Sequence, residues 1–329
     1  MIETIYIEHA IREHPRVASI RARFPNARVI SCEHYGEVFN RGGQNFRLQK
    51  QRPALLLARK IGRRVLPVPD GYGLDGAEGY YFSHMLNCLY DCRYCFLQGM
   101  FRSAHYVLFV NYEDFLDDIS AQCARSNEAQ WFFSGYDCDS LALEPVSRFT
   151  ETFIPAFAQI DNAWLELRTK STQIRSLLDC TPAPRVVCAF SLNPQTVIDR
   201  LEHRTPSLAA RLNALRKLQR HGWHIALRFD PLILEDDFRT QYATFFRTVF
   251  EGIEGASLHS ITLGNFRLPR SHFQRMANLY PDERLFAQNL DDGDGQIAYP
   301  HASAEGMLAW CEEQVTALAD GVPIYIQST

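Results

Sequence analysis

Three cysteines within eight positions, Cys88, Cys92 and Cys95, restrict this chain more than any other feature. Spaced C-x3-C-x2-C, they directly follow the apolar run Tyr80-Tyr81-Phe82-Ser83-His84-Met85-Leu86, which reads as a strand. A soft metal needs thiolates converging on it, and a loop leaving a strand end can wrap three of them around one corner of a cluster. On a four-iron cluster, three thiolates leave one iron open to a substrate or cofactor. A tetrahedral structural zinc wants a fourth close-fitting ligand, and no second cysteine pair of zinc spacing follows. A reduced cysteine loop and an incidental zinc knuckle are the alternative readings.

At 329 residues the chain suits a barrel-sized domain with an extension. Its 46% hydrophobic and 22% charged content is ordinary for a globular protein. No run approaches the roughly 18 apolar residues of a membrane span, and Met1-Ile2-Glu3-Thr4 lacks the regions of a signal peptide. The expected compartment is the cytoplasm, with no membrane partner and with nine cysteines present as thiols or metal ligands. A net charge of −4 gives no global basic field, so nucleic-acid binding would need a local patch.

From Tyr80 onward, short apolar runs alternate with amphipathic helical patterns, the mark of a parallel β/α arrangement. Strands are predicted at Tyr80–Leu86, Gln130–Phe133, Trp164–Arg168, Val186–Ser191, His224–Phe229 and Ile261–Phe266, with Ile324–Gln327 as a closing strand. Helical patterns cover Tyr112–Arg125, Pro145–Ile160, Gln173–Leu178, Pro194–Arg220, Phe238–Ile253, Ser271–Leu279 and Ala302–Ala319. The fold class is α/β: a partial (β/α)6 TIM-like barrel over residues 76–329, ending in C-terminal helices, behind an α+β extension over 1–75. The turn chemistry of Gly71-Tyr72-Gly73-Leu74-Asp75-Gly76 marks the boundary. The extension reads as a helix over Glu8–Phe24 and a strand at Arg28–Cys32, then Arg47, Lys50, Arg52, Arg59, Lys60, Arg63 and Arg64 with no acidic residue between Arg47 and Pro69. That basic run is either a phosphate-facing surface or a solvated face. Asp291-Asp292-Gly293-Asp294-Gly295 reads as a solvated turn, and Cys32, Cys123, Cys180, Cys188 and Cys311 as buried packing.

In a parallel barrel, chemistry gathers at the C-terminal strand ends. Ser134-Gly135 ends the second strand and allows close backbone approach. Lys170 ends the third and suits a carboxylate. Ser191 and Asn193 end the fourth, where Asn193 is also placed to cap the next helix. Arg228 and Arg267 are phosphate candidates.

The cysteine run, with Tyr94 just before its last cysteine, resembles the signature of radical S-adenosylmethionine (SAM) enzymes. Cys92-Arg93-Tyr94-Cys95-Phe96-Leu97-Gln98 is similar to the spore photoproduct lyase family within them. The likeness runs from about Tyr6 to Ile326. It implies a 4Fe–4S cluster on Cys88, Cys92 and Cys95, with SAM among Tyr94, Ser134, Gly135, Lys170, Ser191 and Asn193. It further implies reductive cleavage of SAM to a 5′-deoxyadenosyl radical and reversal of a thymine lesion in DNA. A reductant such as flavodoxin or ferredoxin would supply the electron. Cys138 or Tyr136 is the implied hydrogen donor, with Tyr94 as a further catalytic candidate. One departure stands out: the family's tyrosine after the third cysteine is Phe96 here, with no O–H to give. It leaves open the same SAM chemistry on another substrate, or a non-catalytic metal- or nucleic-acid-binding protein.

Overall fold

Apolar runs of four to nine residues, rich in β-branched and aromatic side chains, become strands rather than helices because they are buried on both faces. The computed structural model describes residues 2–69, 73–74, 78–253 and 258–327; Gly71, Tyr72, Asp75 and Gly76 of the expected boundary turn lie outside them. Seven parallel strands, β1 (Glu78–Phe82), β2 (Gln130–Phe133), β3 (Ala163–Thr169), β4 (Val186–Ser191), β5 (His224–Leu232), β6 (Leu258–Asn265) and β7 (Ile324–Gln327), lie side by side in chain order. They form the curled partial barrel, with Ile324–Gln327 joining the six expected strands at one edge. At the other edge Val65–Pro67 runs antiparallel to β1, with Val65 opposite Phe82. Along β4, Val186, Cys188 and Phe190 pack outward into the main core, while Val187 and Ala189 face Trp131, Phe133 and Ala226 inside the barrel. That period of two on a fully buried strand fixes the register.

The run Tyr80–Leu86 does not stay in one strand. β1 ends at Phe82, and Met85–Leu86 joins a second sheet, antiparallel to Tyr106–Phe109. That sheet has the order Arg28–Cys32, Thr4–Glu8, Leu55–Ala58, Tyr106–Phe109, Met85–Leu86. The extension's sheet is thus completed by strands from beyond residue 75. The expected helix over Glu8–Phe24 shrinks to Pro15–Ala22. Glu8 instead ends a strand, where its carboxylate accepts the backbone N–H groups of Tyr35 and Arg59, each at 2.8 Å.

Two expected helices are broken, each at a buried carboxylate. Pro145–Ile160 divides at Arg148, whose φ is 48°, and the Glu144 carboxylate accepts the N–H groups of Phe149 and Thr150 at 3.1 Å each. Pro194–Arg220 divides into Gln195–Leu201 and Leu208–His221 around Glu202–His203, with Pro206 unable to continue a helix and Ser207 capping the next. Among the described residues no helix is long and apolar enough to cross a membrane.

The short helix Leu97–Met100, which follows the third cysteine, is pressed against the helix Arg270–Leu279. A Cβ on Gly99 would lie 2.5 Å from the His272 carbonyl oxygen, and Arg275 donates to the Gly99 and Met100 carbonyls. Gly99→Ala should therefore force the two helices apart at a cost of about 1–3 kcal/mol. Urea denaturation of the purified variant checks this, and an unchanged midpoint refutes the close contact.

His84 is fully buried, stacked on Phe149 at 4.0 Å between ring centroids, and burial drives its pKa down to about 3. The unfolded chain binds this proton below about pH 6.5 and the folded one does not. His84 thus contributes stability above that pH, and the contribution falls by about 1.4 kcal/mol per unit as pH drops toward 3. His84→Phe should flatten the acid limb of a stability–pH curve; a limb of unchanged slope refutes this.

Candidate active site

The cysteine loop is fastened from both sides. Asp91–Cys92 pairs antiparallel with Glu202–His203, and the Arg93 N–H donates to the Leu201 carbonyl at 2.7 Å. From the extension, the buried Lys50 ammonium donates to the carbonyls of Cys88 at 3.2 Å and Tyr90 at 3.0 Å. Arg204 in turn donates to the Lys50 carbonyl at 2.9 Å. Lys50 is thereby committed to the loop and not to a phosphate.

Glu202 is the hub beneath the loop, with 2% exposure. Its carboxylate accepts hydrogen bonds from the Tyr94 hydroxyl, the Arg211 guanidinium and, at 3.0 Å, the Asn193 amide. Burial opposes its charge, but Arg211 and Lys170 outweigh that and hold its pKa below the usual carboxylate value. Arg211 also donates to the Ser191 carbonyl at 3.1 Å. Burial likewise opposes the charge of Lys170, yet the Glu202 carboxylate outweighs it and raises its pKa. The Lys170 ammonium sits 5.5 Å from the centre of the Tyr94 ring. Tyr94, Lys170, Ser191 and Asn193, read separately from the sequence, are therefore one network.

Ser134 and Gly135 lie at the end of β2. The Ser134 hydroxyl donates to the Glu166 carbonyl at 3.0 Å and lies 2.9 Å from that of Ser140. A Cβ on Gly135 would come within 3.0 Å of the Arg168 carbonyl oxygen and closer still to Ser140 Oγ, so only glycine fits. Asp139, which the sequence did not single out, binds this loop to the end of β3. Its carboxylate accepts the Lys170 N–H at 2.6 Å, the Thr169 hydroxyl at 2.7 Å and the Leu141 N–H at 3.0 Å.

One open cavity gathers Cys88, Cys92, Cys95, Tyr94, Phe96, Gly135, Tyr136, Cys138, Asp139, Lys170, Ser191 and Arg267. The empty space, its open mouth included, measures about 1290 Å³. Two aromatic rings stand on its wall, Tyr136 and Phe96 at 5.6 Å, with Tyr81 stacked on Tyr136 at 4.2 Å. Cys138 lines the cavity too but is buried, its Sγ 3.7 Å from the Ser134 carbonyl oxygen.

Of the two phosphate candidates only Arg267 reaches the cavity, where it donates to Gln327 at 3.0 Å and pairs with Asp230 at 3.3 Å. Arg228 corrects the sequence reading. It points into the barrel at 1% exposure, paired with Glu166 at 2.6 Å and with Ser260 Oγ at 3.1 Å. Burial opposes ionisation of Glu166, but Arg228 and Arg168 overcome it and bring its pKa to about 2. An inward strand position at mid-barrel leaves no route to a phosphate.

The donor set suits a cluster. All nine cysteines are free thiols, and the Cys88 sulfur accepts the Tyr90 N–H at 3.4 Å. Burial raises all three loop thiols, Cys88 to about 12, so they stay protonated until a metal replaces the protons. Among the described residues no three His, Cys, Asp or Glu side chains close on a single ion. A four-iron cube, which takes its sulfurs on three different irons, needs them further apart.

A family model described as spore photoproduct lyase matches residues 75–299. The chain is 25% identical to the spore photoproduct lyase of Bacillus subtilis (strain 168), over 99% of this chain and 95% of that one. It is 27% identical to that of Geobacillus sp. (strain Y412MC61), over 64% of this chain and 62% of that one. A solved spore photoproduct lyase complexed with dinucleoside spore photoproduct superposes with a TM-score of 0.85 at 20% identity, covering 100% of this chain and 98% of the other.

Arg228→Ala should leave the buried Glu166 with Arg168 as its remaining ion-pair partner and cost about 3 kcal/mol. Thermal and denaturant unfolding check this, and a variant as stable as its parent refutes the assignment.

Proposed function

This chain belongs to the spore photoproduct lyase family of radical SAM enzymes, and on that premise we propose that it reverses the spore photoproduct, a thymine dimer lesion, in DNA. The observation that carries the reading is the convergence of the three cysteines, Lys170 and Cys138 on one cavity. The geometry shared with a lyase complexed with dinucleoside spore photoproduct supports it.

Cys88, Cys92 and Cys95 would hold the 4Fe–4S cluster. When bound, that group supplies the electron that splits SAM and yields a 5′-deoxyadenosyl radical. The chain's own residues bind and orient. Lys170 holds a positive charge at the cavity wall for the SAM carboxylate, kept charged by Glu202. Gly135 would let backbone approach the amino group, and Ser191, on the cavity wall, would meet the ribose side, while Asn193 is buried and bonded to Glu202. The rings of Tyr136 and Phe96 give a planar base a surface to stack on. Burial pushes the Cys138 thiol well above its usual pKa, so at neutral pH it stays S–H, the form that can give a hydrogen atom. Tyr136 offers a phenol on the same wall. Arg267 is the cavity-side cation for a lesion phosphate. The electron would come from a reductant such as flavodoxin or ferredoxin.

Phe96 favours a second reading, the same SAM chemistry on a different substrate, because it removes a hydroxyl from the cavity wall. Air-free reconstituted protein with dithionite and SAM should release 5′-deoxyadenosine, and it should convert dinucleotide spore photoproduct to the dinucleotide with two intact thymines. SAM cleavage without that restored dinucleotide moves the assignment to the second reading. Cys138→Ala should still cleave SAM but lower the yield of restored dinucleotide about tenfold, ~1.4 kcal/mol in the hydrogen-return step. An undiminished yield shifts the donor role to Tyr136, tested by Tyr136→Phe.

A further inference from the structure

The basic run of the extension is sorted by the fold into residues already engaged and residues left outward. Lys50 is buried under the cysteine loop, and the exposed Arg52 lies 4.0 Å from Glu3. Arg59 pairs with Asp114 at 3.0 Å and Arg64 with Asp118 at 2.9 Å, both acids on the helix Tyr112–Cys123. These two pairs pin the ends of a loop whose middle is Lys60-Ile61-Gly62-Arg63. At its tip Ile61 is 74% exposed, one of four large apolar side chains so placed among the described residues. Gly62 beside it has a φ of +80° and open space around it, and Arg63 is exposed.

The position of this loop is fixed by strand pairing. It runs directly into Val65, which sits opposite Phe82 at the C-terminal end of β1. The loop therefore stands on the rim of the barrel from which the cysteine loop also leaves. Burial raises the pKa of Asp137, the neighbour of Cys138, and the Ser83 hydroxyl and then Lys60 offset part of that rise. It also lies 5.3 Å from the Phe109 ring.

We propose that Lys60-Ile61-Gly62-Arg63 is a duplex-engaging wedge: Ile61 inserts at the base step opened when the lesion leaves the stack, and the exposed Arg63 takes a flanking phosphate while Lys60, turned toward Phe109, anchors the loop. This rests on the nucleic-acid reading above. An exposed branched apolar side chain between cations has the chemistry of side chains that fill unstacked base steps. The ion pairs at both ends hold the loop so that insertion does not first have to order it. A lesion buried in a duplex cannot reach a cavity inside the barrel rim unless it is extruded, and extrusion leaves a gap to fill.

The test uses the full-length protein and a duplex oligonucleotide carrying one spore photoproduct, with 2-aminopurine beside it to report unstacking. Ile61→Ala should reduce both the unstacking signal and the turnover of duplex relative to dinucleotide lesion, roughly tenfold. Arg63→Ala should weaken binding of damaged and undamaged duplex alike and reduce the salt slope of binding by about 1. Ile61→Ala with the parent's unstacking signal and duplex preference overturns the wedge while leaving the lyase reading intact. A parent protein that binds neither duplex removes the nucleic-acid reading and the wedge with it, whatever the outcome of SAM cleavage.

Discussion

A carboxylate shut away from water has to be satisfied by protein groups, and Glu202 meets that requirement by drawing in four parts of the chain. Tyr94 comes from the cysteine loop, Asn193 from the end of β4 and Arg211 from the following helix, while Lys170 faces it from β3. Because Glu202–His203 also pairs with Asp91–Cys92, the same two residues fix the loop's backbone and its electrostatics. A helix continuing through Glu202, as the apolar spacing suggested, would satisfy neither.

The barrel repeats this device at two further levels. Glu166 gathers Arg168 and Arg228 across three strands at mid-barrel, and Asp139 gathers the ends of β2 and β3 at the rim. Each buried acid is matched by donors from different strands, so the strand ends are held in one relative register. Positioning to within a fraction of an ångström is what a site assembled from several loops requires. The two wall aromatics and Cys138 sit directly on this framework.

Much of the architecture was legible locally. The cysteine spacing, the β/α alternation and the polar strand ends each arise within ten residues of chain, and on β4, buried throughout, successive residues alternate between two cores. Long-range pairing left no such trace. Arg228 reads as a cation near a strand end, and only the inward position on β5 opposite Glu166 shows that its charge is consumed. Lys50 looked like one of seven surface cations until the fold placed the Cys88 and Tyr90 carbonyls above it. The break at Glu202 did have a signal, Pro206 followed by Ser207, which the helical periodicity on either side masked. The division of Tyr80–Leu86 had only the polar pair Ser83-His84 to mark it, because both halves are equally apolar and only their partners differ.

The second sheet draws its strands from either side of the cysteine loop: Thr4–Glu8 and Leu55–Ala58 precede it, Tyr106–Phe109 follows it. On a ribosome, the first sixty residues emerge with one edge of their sheet vacant and wait there until residue 109 is out. The sulfur-bearing segment is the connection between the two strands added to that edge, Met85–Leu86 and Tyr106–Phe109. Metal loading and completion of the N-terminal layer are thus coupled by topology: cutting the leader away would unseat the very segment that the metal must find.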